Sequence, residues 1–284
     1  LKSENKVHGS GLVLNWSEEK LTAVKEELPF ALTQAQEKSL QEILTDMKSD
    51  HHMNRLLQGD VGSGKTVVAG LAMYAAVTAG YQAALMVPTE ILAEQHFESL
   101  QELFPDLRLA LLTGSLKVGE KRQVLEKIAK GEADVIIGTH ALIQEGVNFH
   151  NLGLVIVDEQ HRFGVDQRAR LQQKGTYPHV LIMTATPIPR TMTLSVYGDL
   201  AVSLIKEMPP GRKPVKTYAV DSSYKDRLRT FFGKEMAEGR QVYVVCPLVE
   251  ESEKLDLQAA EELYLELKEY FYKVYEVGLV HGRM

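Results

Sequence analysis

The sequence predicts an α/β fold, with a doubly wound parallel sheet followed by the first part of a second domain of the same type. From residue 54 onward, short runs of Val, Ile and Leu alternate with longer helical patterns. The runs are continuously apolar, as in parallel strands that are covered on both faces. Strands that alternate with helices along the chain indicate a doubly wound arrangement.

The elements of the first domain follow in order. The predicted strands lie at 55–58, 82–87, 107–112, 134–137, 154–157 and 180–183. The predicted helices lie at 66–79, 90–103 and 119–130. Gly80 and Gly131 are placed to end two of these helices, and Thr89 is a suitable N-cap for another. Residues 1–27 carry only a weak pattern, so we expect a connector from an upstream domain.

A second domain is predicted after residues 208–211, Met-Pro-Pro-Gly, where proline and glycine interrupt the pattern. The alternation then restarts. Predicted strands lie at 215–220, 241–246 and 274–280, and predicted helices at 223–238 and 257–272. Three strands are too few for a complete domain of this kind. We therefore predict a complete first domain at 28–208 and a truncated second domain at 209–284, and the initial Leu also suggests a fragment.

Composition sets limits on compartment and partners. The net charge is −6, which does not argue for nucleic acid but leaves room for contact through one local face. Cys246 is the single cysteine, so no internal disulfide can form, and a buried thiol in a reducing cytoplasm is expected. The longest apolar stretch, 67–79, is shorter than the roughly 20 residues that span a bilayer. No membrane partner is predicted.

One motif predicts that the chain binds ATP. Residues 59–66 read Gly-Asp-Val-Gly-Ser-Gly-Lys-Thr and match the P-loop pattern GxxxxGK[ST] between a predicted strand and a predicted helix. Gly62 and Gly64 allow the backbone to curl so that its N–H groups point at phosphate. Lys65 is expected to reach the β and γ phosphates, and the Thr66 hydroxyl to coordinate Mg²⁺.

An acidic pair follows the predicted strand at 154–157. Asp158 and Glu159 stand at the carboxyl end of that strand, where α/β sheets bind ligands. We expect Asp158 to hold Mg²⁺ and Glu159 to orient or deprotonate the attacking water. The paired residues His51 and His52 have no further ligand at metal spacing and are expected to be solvated loop residues.

The motifs together resemble superfamily 2 helicases, and within them the RecG family of branched-DNA helicases. Besides the P-loop and DEQH at 158–161, the chain has VPTE, GTH and TATP in the order of helicase motifs Ia, Ib and III, and LTQAQ upstream resembles a Q motif. The longer stretches that resemble the RecG family are MNRLLQGDVGSGKTVVA, PTEILAEQH, IIGTHALIQ, VDEQHRFGVDQR, TATPIPRT and PPGRKPVKT. The resemblance covers roughly residues 28–284.

The resemblance implies RecA-like lobes and a role for each matching residue. Gln36 would contact adenine. Residues that would couple the nucleotide state to the DNA state are Gln160, His161, Thr184 and Thr186. Residues that would contact the DNA backbone are Thr89, Thr113, Gly114, Thr139 and His140. Small hydroxyl and amide donors suit sequence-independent backbone contacts.

Three alternatives remain open at this point. The transcription-repair coupling factor family contains related double-stranded DNA translocases, although Ser63 and Gln160 favour RecG. A small-molecule P-loop NTPase would need none of motifs Ia, Ib and III. The chain could also serve only as a nucleotide- or DNA-binding module. The resemblance implies a full-length monomeric motor for DNA repair and recombination. It also implies that the chain as given has little activity, because the motif VI arginines would lie beyond Met284.

Overall fold

The computed structural model describes residues 11–158, 170–171, 173–186, 200–207, 215–246 and 253–281, with side chains from residue 260 onward in the last of these segments. The chain divides into two compact units, Leu1–Arg212 and Lys213–Met284. The predicted site residues are all in the first unit.

A parallel sheet forms the centre of the first unit. In the part of the chain that the structure describes it has seven strands in the order β3-β4-β2-β5-β6-β1-β7. The strands are β1 (Asn54–Gly59), β2 (Gln82–Met86), β3 (Leu109–Leu112), β4 (Val135–Gly138), β5 (Leu152–Asp158), β6 (His179–Thr184) and β7 (Ala201–Ile205). Because β6 lies between β5 and β1, the ends of these three strands are neighbours along one edge.

Helices cover both faces of this sheet. The helices are α1 (Glu18–Glu27), α2 (Gln34–Lys48), α3 (Lys65–Thr78), α4 (Glu90–Leu103) and α5 (Val118–Lys130), with a 3₁₀ turn at His140–Ile143. Helices α1 to α4 pack on one face, and α5 with the 3₁₀ turn packs on the other. Neighbouring strand residues alternate between the two cores, so Leu57 faces the first and Leu56 the second. The predicted doubly wound parallel fold is confirmed.

The described part of the segment that was expected to be a connector, residues 11–27, is part of the first core. Leu14 and Trp16 are buried, and α1 buries Leu21 and Val24 against the same cluster as α2 and α3. Helix α1 has only ten residues and buries only two of them, so its helical pattern is too short to stand out in the sequence. Strand β7 was also missed, because it is a short edge strand that includes a polar residue, Ser203.

Among its described residues the second unit has two α-helices close to their predicted places, α6 (Lys225–Ala237) and α7 (Glu253–Tyr270). The prediction of strands at 215–220, 241–246 and 274–280 is wrong for this structure, because those described residues form no strand. A strand satisfies its backbone N–H and C=O groups only through a neighbouring strand. Cys246 is accordingly half-buried and not in a strand. No helix in the described ranges qualifies as a membrane span.

Candidate functional site

The predicted site residues that the structure describes lie mostly at the carboxyl edge of the sheet. The P-loop follows β1, Asp158 ends β5 and Thr184 ends β6. The residues expected to contact DNA follow β2, β3 and β4: Thr89, Thr113, Gly114, Thr139 and His140. Strand order therefore puts the residues predicted to bind nucleotide at the ends of β5, β6 and β1, and the residues predicted to contact DNA at the ends of β2, β3 and β4. We call these two parts of the edge the nucleotide half and the DNA half. Glu159, Gln160 and His161 lie outside the described residues.

The P-loop has the curled backbone that its glycines predict. Gly62 has φ 73° and Gly64 φ 86°, in the left-handed region that favours glycine. The Lys65 ammonium group donates to the Gly59 carbonyl at 2.7 Å and to the Asp60 carbonyl at 3.0 Å. Helix α3 begins at Lys65 with no side-chain cap on Gly64. A helix N-terminus of this kind favours a bound anion, as in phosphate-binding loops.

Gln36 holds this loop from the side of α2. Its carbonyl oxygen accepts from the Thr33 backbone N–H at 2.9 Å, and Thr33 caps the helix in return. Its amide nitrogen donates to the Ser63 carbonyl at 2.8 Å, and the side chain is buried. Gln36 thus bridges the start of α2 and the P-loop. Contact with adenine stays a prediction.

Asp158 contacts a residue that was not predicted to belong to the site. The ring nitrogen Nε2 of His96 on α4 is 2.9 Å from Asp158 Oδ2, and both side chains are largely buried, at 11% and 12% exposure. A carboxylate accepts, so Nε2–H donates. His96 lies in PTEILAEQH, one of the stretches that resemble the RecG family, but no local spacing relates it to Asp158.

A groove lies beside the P-loop within the first unit. Its volume is about 630 Å³, within the range of small-molecule sites. The residues that line it are Phe30, Ala31, Gln36, Gly64, Thr66, Val67, Gln95, His96, Ser99 and Leu103. The groove joins predicted nucleotide-binding residues of α2 and α3 to the side of α4 that includes His96.

Mg²⁺ fits the oxygen donors at this edge. Thr66 stands in the first turn of α3, and Asp158 ends β5. In proteins Mg²⁺ is commonly held by one or two side-chain oxygens together with substrate phosphates and water. In the described residues there is no group of three or more His, Cys, Asp or Glu that could form an all-protein metal cage. The donor set therefore suits a metal that arrives with a nucleotide.

Thr184 and Thr186 lie at the carboxyl end of β6, between the P-loop after β1 and Asp158 at the end of β5. Thr184 pairs with Gln58 of β1 in register, and the preceding Met183 pairs with Asp158 of β5. The two threonine hydroxyl oxygens are 3.0 Å apart, and the Thr186 N–H donates to the Thr184 hydroxyl at 3.2 Å. The strand order thus places Thr184 beside both the strand that leads into the P-loop and the strand that ends at Asp158.

The DNA half of the edge is organised around the start of α4. The Thr89 hydroxyl caps α4 by accepting from the Leu92 N–H, and the Glu90 carboxylate accepts from the Ser115 N–H at 3.0 Å. Hydrogen bonding from Ser115 lowers the pKa of Glu90 below its ordinary value. Thr113 is buried, whereas His140 is exposed. The ends of β2 and β3 are therefore fastened together, and His140 faces solvent.

Known proteins show strong similarity to this chain. The DEAD/DEAH box helicase profile matches residues 33–194. The ATP-dependent DNA helicase RecG of Streptococcus pneumoniae serotype 4 is 70% identical over 284 residues, which are 100% of this chain and 42% of that protein. RecG of Bacillus subtilis is 54% identical over 276 residues, 96% of this chain and 40% of that protein. The resemblance to RecG that the motifs predicted is confirmed.

A solved structure agrees with these relatives. The structure of RecG bound to a three-way DNA junction has a TM-score of 0.81 and 45% identity, and the match covers 96% of this chain and 36% of that one. This chain spans less than half the length of the relatives that it matches. The family profile itself covers more than half of the chain, from the Q motif through TATP and beyond. The chain belongs to the DEAD/DEAH box helicase family.

Proposed function

We propose that the whole protein is an ATP-dependent DNA helicase or translocase that remodels branched DNA, such as forks and junctions, in repair and recombination. This chain supplies its ATP-binding lobe. The observation that carries the proposal is the meeting of the P-loop, Asp158 and Thr184 on three neighbouring strands of one sheet. Relatives named as ATP-dependent DNA helicases and a RecG structure bound to a three-way DNA junction support it.

The residues of the nucleotide half have separate tasks in hydrolysis. Lys65 exchanges its two backbone carbonyl acceptors for phosphate oxygens when ATP binds. Thr66 and Asp158 would hold Mg²⁺, and the metal would supply positive charge that stabilises the phosphates during hydrolysis. Gln36 keeps the P-loop backbone fixed by its bond to Ser63. Glu159, by its place after Asp158, orients the attacking water.

The DNA half suits contact with the phosphate backbone and not with bases. Its residues are small hydroxyl groups, a glycine and a histidine at the ends of β2, β3 and β4. Such groups fix the position of a strand without reading its sequence. Because this chain has a net charge of −6, we expect it to contact DNA through one local face. We also propose a cytoplasmic, monomeric motor, on the basis of the single cysteine and the helicase motifs.

The experiment that tests this function is ATP turnover by the whole protein with and without forked DNA. We expect forked DNA to stimulate turnover. Lys65→Ala should reduce turnover by about 10²–10³, the usual loss when one transition-state donor is removed. Lys130→Ala, on an exposed position of α5, is the matched control and should leave turnover unchanged. Glu159→Gln should still bind ATP while hydrolysis falls.

Two results would contradict the proposal. Turnover that forked DNA does not change would exclude a DNA-driven motor. Turnover that survives Lys65→Ala would exclude the P-loop as the ATP site. A small-molecule NTPase would be indicated if turnover responded to a small second substrate and not to DNA.

A further inference from the structure

One buried hydrogen bond at the nucleotide site has no role in the proposed steps of hydrolysis. His96 Nε2 donates to Asp158 Oδ2 at 2.9 Å. Hydrogen bonds to an ionised carboxylate are stronger than neutral ones, and shielding from water strengthens them further. Both side chains are close to nine-tenths buried. This hydrogen bond is therefore stronger than the same contact would be at the protein surface.

The bond controls the direction of the Asp158 carboxylate. A carboxylate can rotate about its Cβ–Cγ bond, and a donor fixed on Oδ2 sets where Oδ1 points. Asp158 is the last residue of β5, so its backbone is held by the sheet and only the side-chain torsions remain to be set. Donors that fix the orientation of a metal-binding side chain contribute strongly to metal affinity.

His96 is in turn held by a rigid element. Helix α4 is capped by Thr89, and its Ala93 and Leu100 are fully buried in the core on either side of His96. His96 lies seven positions after Thr89, which is two helical turns or about 10 Å. A site built on a packed helix keeps its geometry better than one on a loop. The imidazole is thus placed by α4 and not by the P-loop.

From these contacts we propose that His96 is a positioning residue that orients Asp158 for Mg²⁺ in the nucleotide complex. The inference rests on the proposed function, because it concerns the metal that accompanies ATP. His96 touches Asp158 and acts through it. Its loss should therefore weaken the part of nucleotide binding that depends on Mg²⁺, while the contacts of Lys65 and the P-loop backbone with phosphate persist.

The test measures binding as well as turnover in the whole protein. A fluorescent ADP is titrated in excess Mg²⁺ and again with a chelator. In the wild type, Mg²⁺ should tighten binding. For His96→Leu we expect the Mg²⁺-dependent gain in ADP affinity to shrink by about 10–100-fold. This is the usual effect of losing a residue that orients a metal ligand. Binding in chelator should stay within about twofold of wild type.

Two conservative variants separate orientation from packing. The terminal amide of Gln can place a donor near the position of His Nε2, so His96→Gln should restore most of the Mg²⁺-dependent gain. Asn reaches only as far as Nδ1, so His96→Asn should behave like His96→Leu. Glu94→Gln is the matched control, since it changes an exposed residue of the same helix. It should bind like the wild type in both conditions.

The outcomes are distinct. Equal weakening of binding with and without Mg²⁺ in both His96→Leu and His96→Gln would mean that His96 serves only packing, and the inference would be overturned. An unchanged Mg²⁺-dependent gain in His96→Leu would also overturn it, while the helicase proposal would stand if forked DNA still stimulated turnover. A wild type that shows neither a Mg²⁺-dependent gain nor DNA stimulation would overturn both.

Discussion

At the scale of single residues, the P-loop depends on a close contact between Gly64 and Gln36. A Cβ on Gly64 would lie 2.2 Å from the Gln36 amide nitrogen, closer than nonbonded atoms approach. Gly64 also has φ 86°, where a side chain is strained. Gln36 cannot simply move aside, because its amide group bonds both Thr33 and Ser63. Gly64 is therefore required for two reasons, its conformation and the space that Gln36 occupies.

We predict that Gly64→Ala loses both Gln36 bonds and weakens nucleotide binding by at least about tenfold. The backbone strain alone is about 1–2 kcal/mol. Gly80→Ala is the matched control, because Gly80 has φ 87° and nothing lies within 4 Å of its added Cβ. It should show the loss of thermal stability without the loss of nucleotide affinity. Equal nucleotide affinity in the two variants, measured by titration, would show that the Gln36 contact does not matter.

Site residues that form a motif along the chain could be predicted from the sequence. Contacts between residues far apart in the chain could not. The P-loop is eight consecutive residues, and Asp158 follows an apolar strand directly, so both are visible along the chain. His96 and Asp158 are 62 residues apart, and only the packing of α4 on the sheet brings them together. The bond from Gln36 to Ser63 spans 27 residues and was missed for the same reason.

At the scale of elements, β6 is the strand that lies between the P-loop strand β1 and β5, which ends at Asp158. Its last residue, Thr184, is fully buried beside β1, and its hydroxyl contacts Thr186. We expect a strand that lies between the P-loop and Asp158 to shift its position when the bound nucleotide changes from ATP to ADP. Thr184 and Thr186 do not stand in the donor set proposed for phosphate or metal. Their predicted role is to couple hydrolysis to DNA movement.

We predict that the double variant Thr184→Ala with Thr186→Ala keeps DNA-free ATP turnover within about twofold of wild type. Strand separation per ATP should fall at least several-fold, because the link between strand end and nucleotide is removed. Both rates are measured with the whole protein on forked DNA. Thr78→Ala, at the far end of α3, is the control. If turnover and strand separation fall equally, the threonines serve hydrolysis itself.

Elements with a long and regular pattern were predicted within a few residues, and short or partly polar ones were not. Helix α4 begins and ends where the apolar pattern and Thr89 predict. The edge strand β7 was missed, and Ser203 within it bonds Arg55 of β1 at 2.8 Å, a polar contact between neighbouring strands. Strands of the second unit were predicted from apolar runs alone. Apolar runs show where a strand is favoured, but a strand also needs a neighbouring strand with which its backbone can pair.

At the scale of the whole first unit, His179 connects three parts of the chain at the end of the sheet opposite the nucleotide site. Its Nδ1 accepts from the Met53 N–H at 3.0 Å just before β1, and its Nε2–H donates to the Leu12 carbonyl at 2.5 Å. One nitrogen accepts and the other donates, so the ring is neutral. His52, expected to be a solvated residue, instead stacks on His179 with ring centroids 6.2 Å apart.

The charge state of His179 is set by its surroundings. Burial lowers the pKa of His179 below its ordinary value of 6.5, the Leu12 carbonyl raises it, and the neighbouring His52 lowers it further. Asp46 is the facing acidic group and raises it. The lowering effects prevail. Above pH 6.5 the imidazole is neutral in the folded and the unfolded chain, so its hydrogen bonds contribute fully to stability.

We predict that the first unit loses stability as the pH falls below 6.5, because the unfolded chain then binds a proton that folded His179 does not. The loss is at most about 1.4 kcal/mol per pH unit and ends at the lowered pKa. Urea unfolding between pH 8 and pH 5 measures this loss of stability through Trp16, the single tryptophan, which is buried beside the segment that His179 holds.

His179→Gln should be less stable than wild type at pH 8, and this difference in stability should narrow as the pH falls. His150→Gln, at an exposed position, should follow the wild-type curve. A difference between wild type and His179→Gln that stays constant from pH 8 to pH 5 would show that His179 takes up its proton equally in both states.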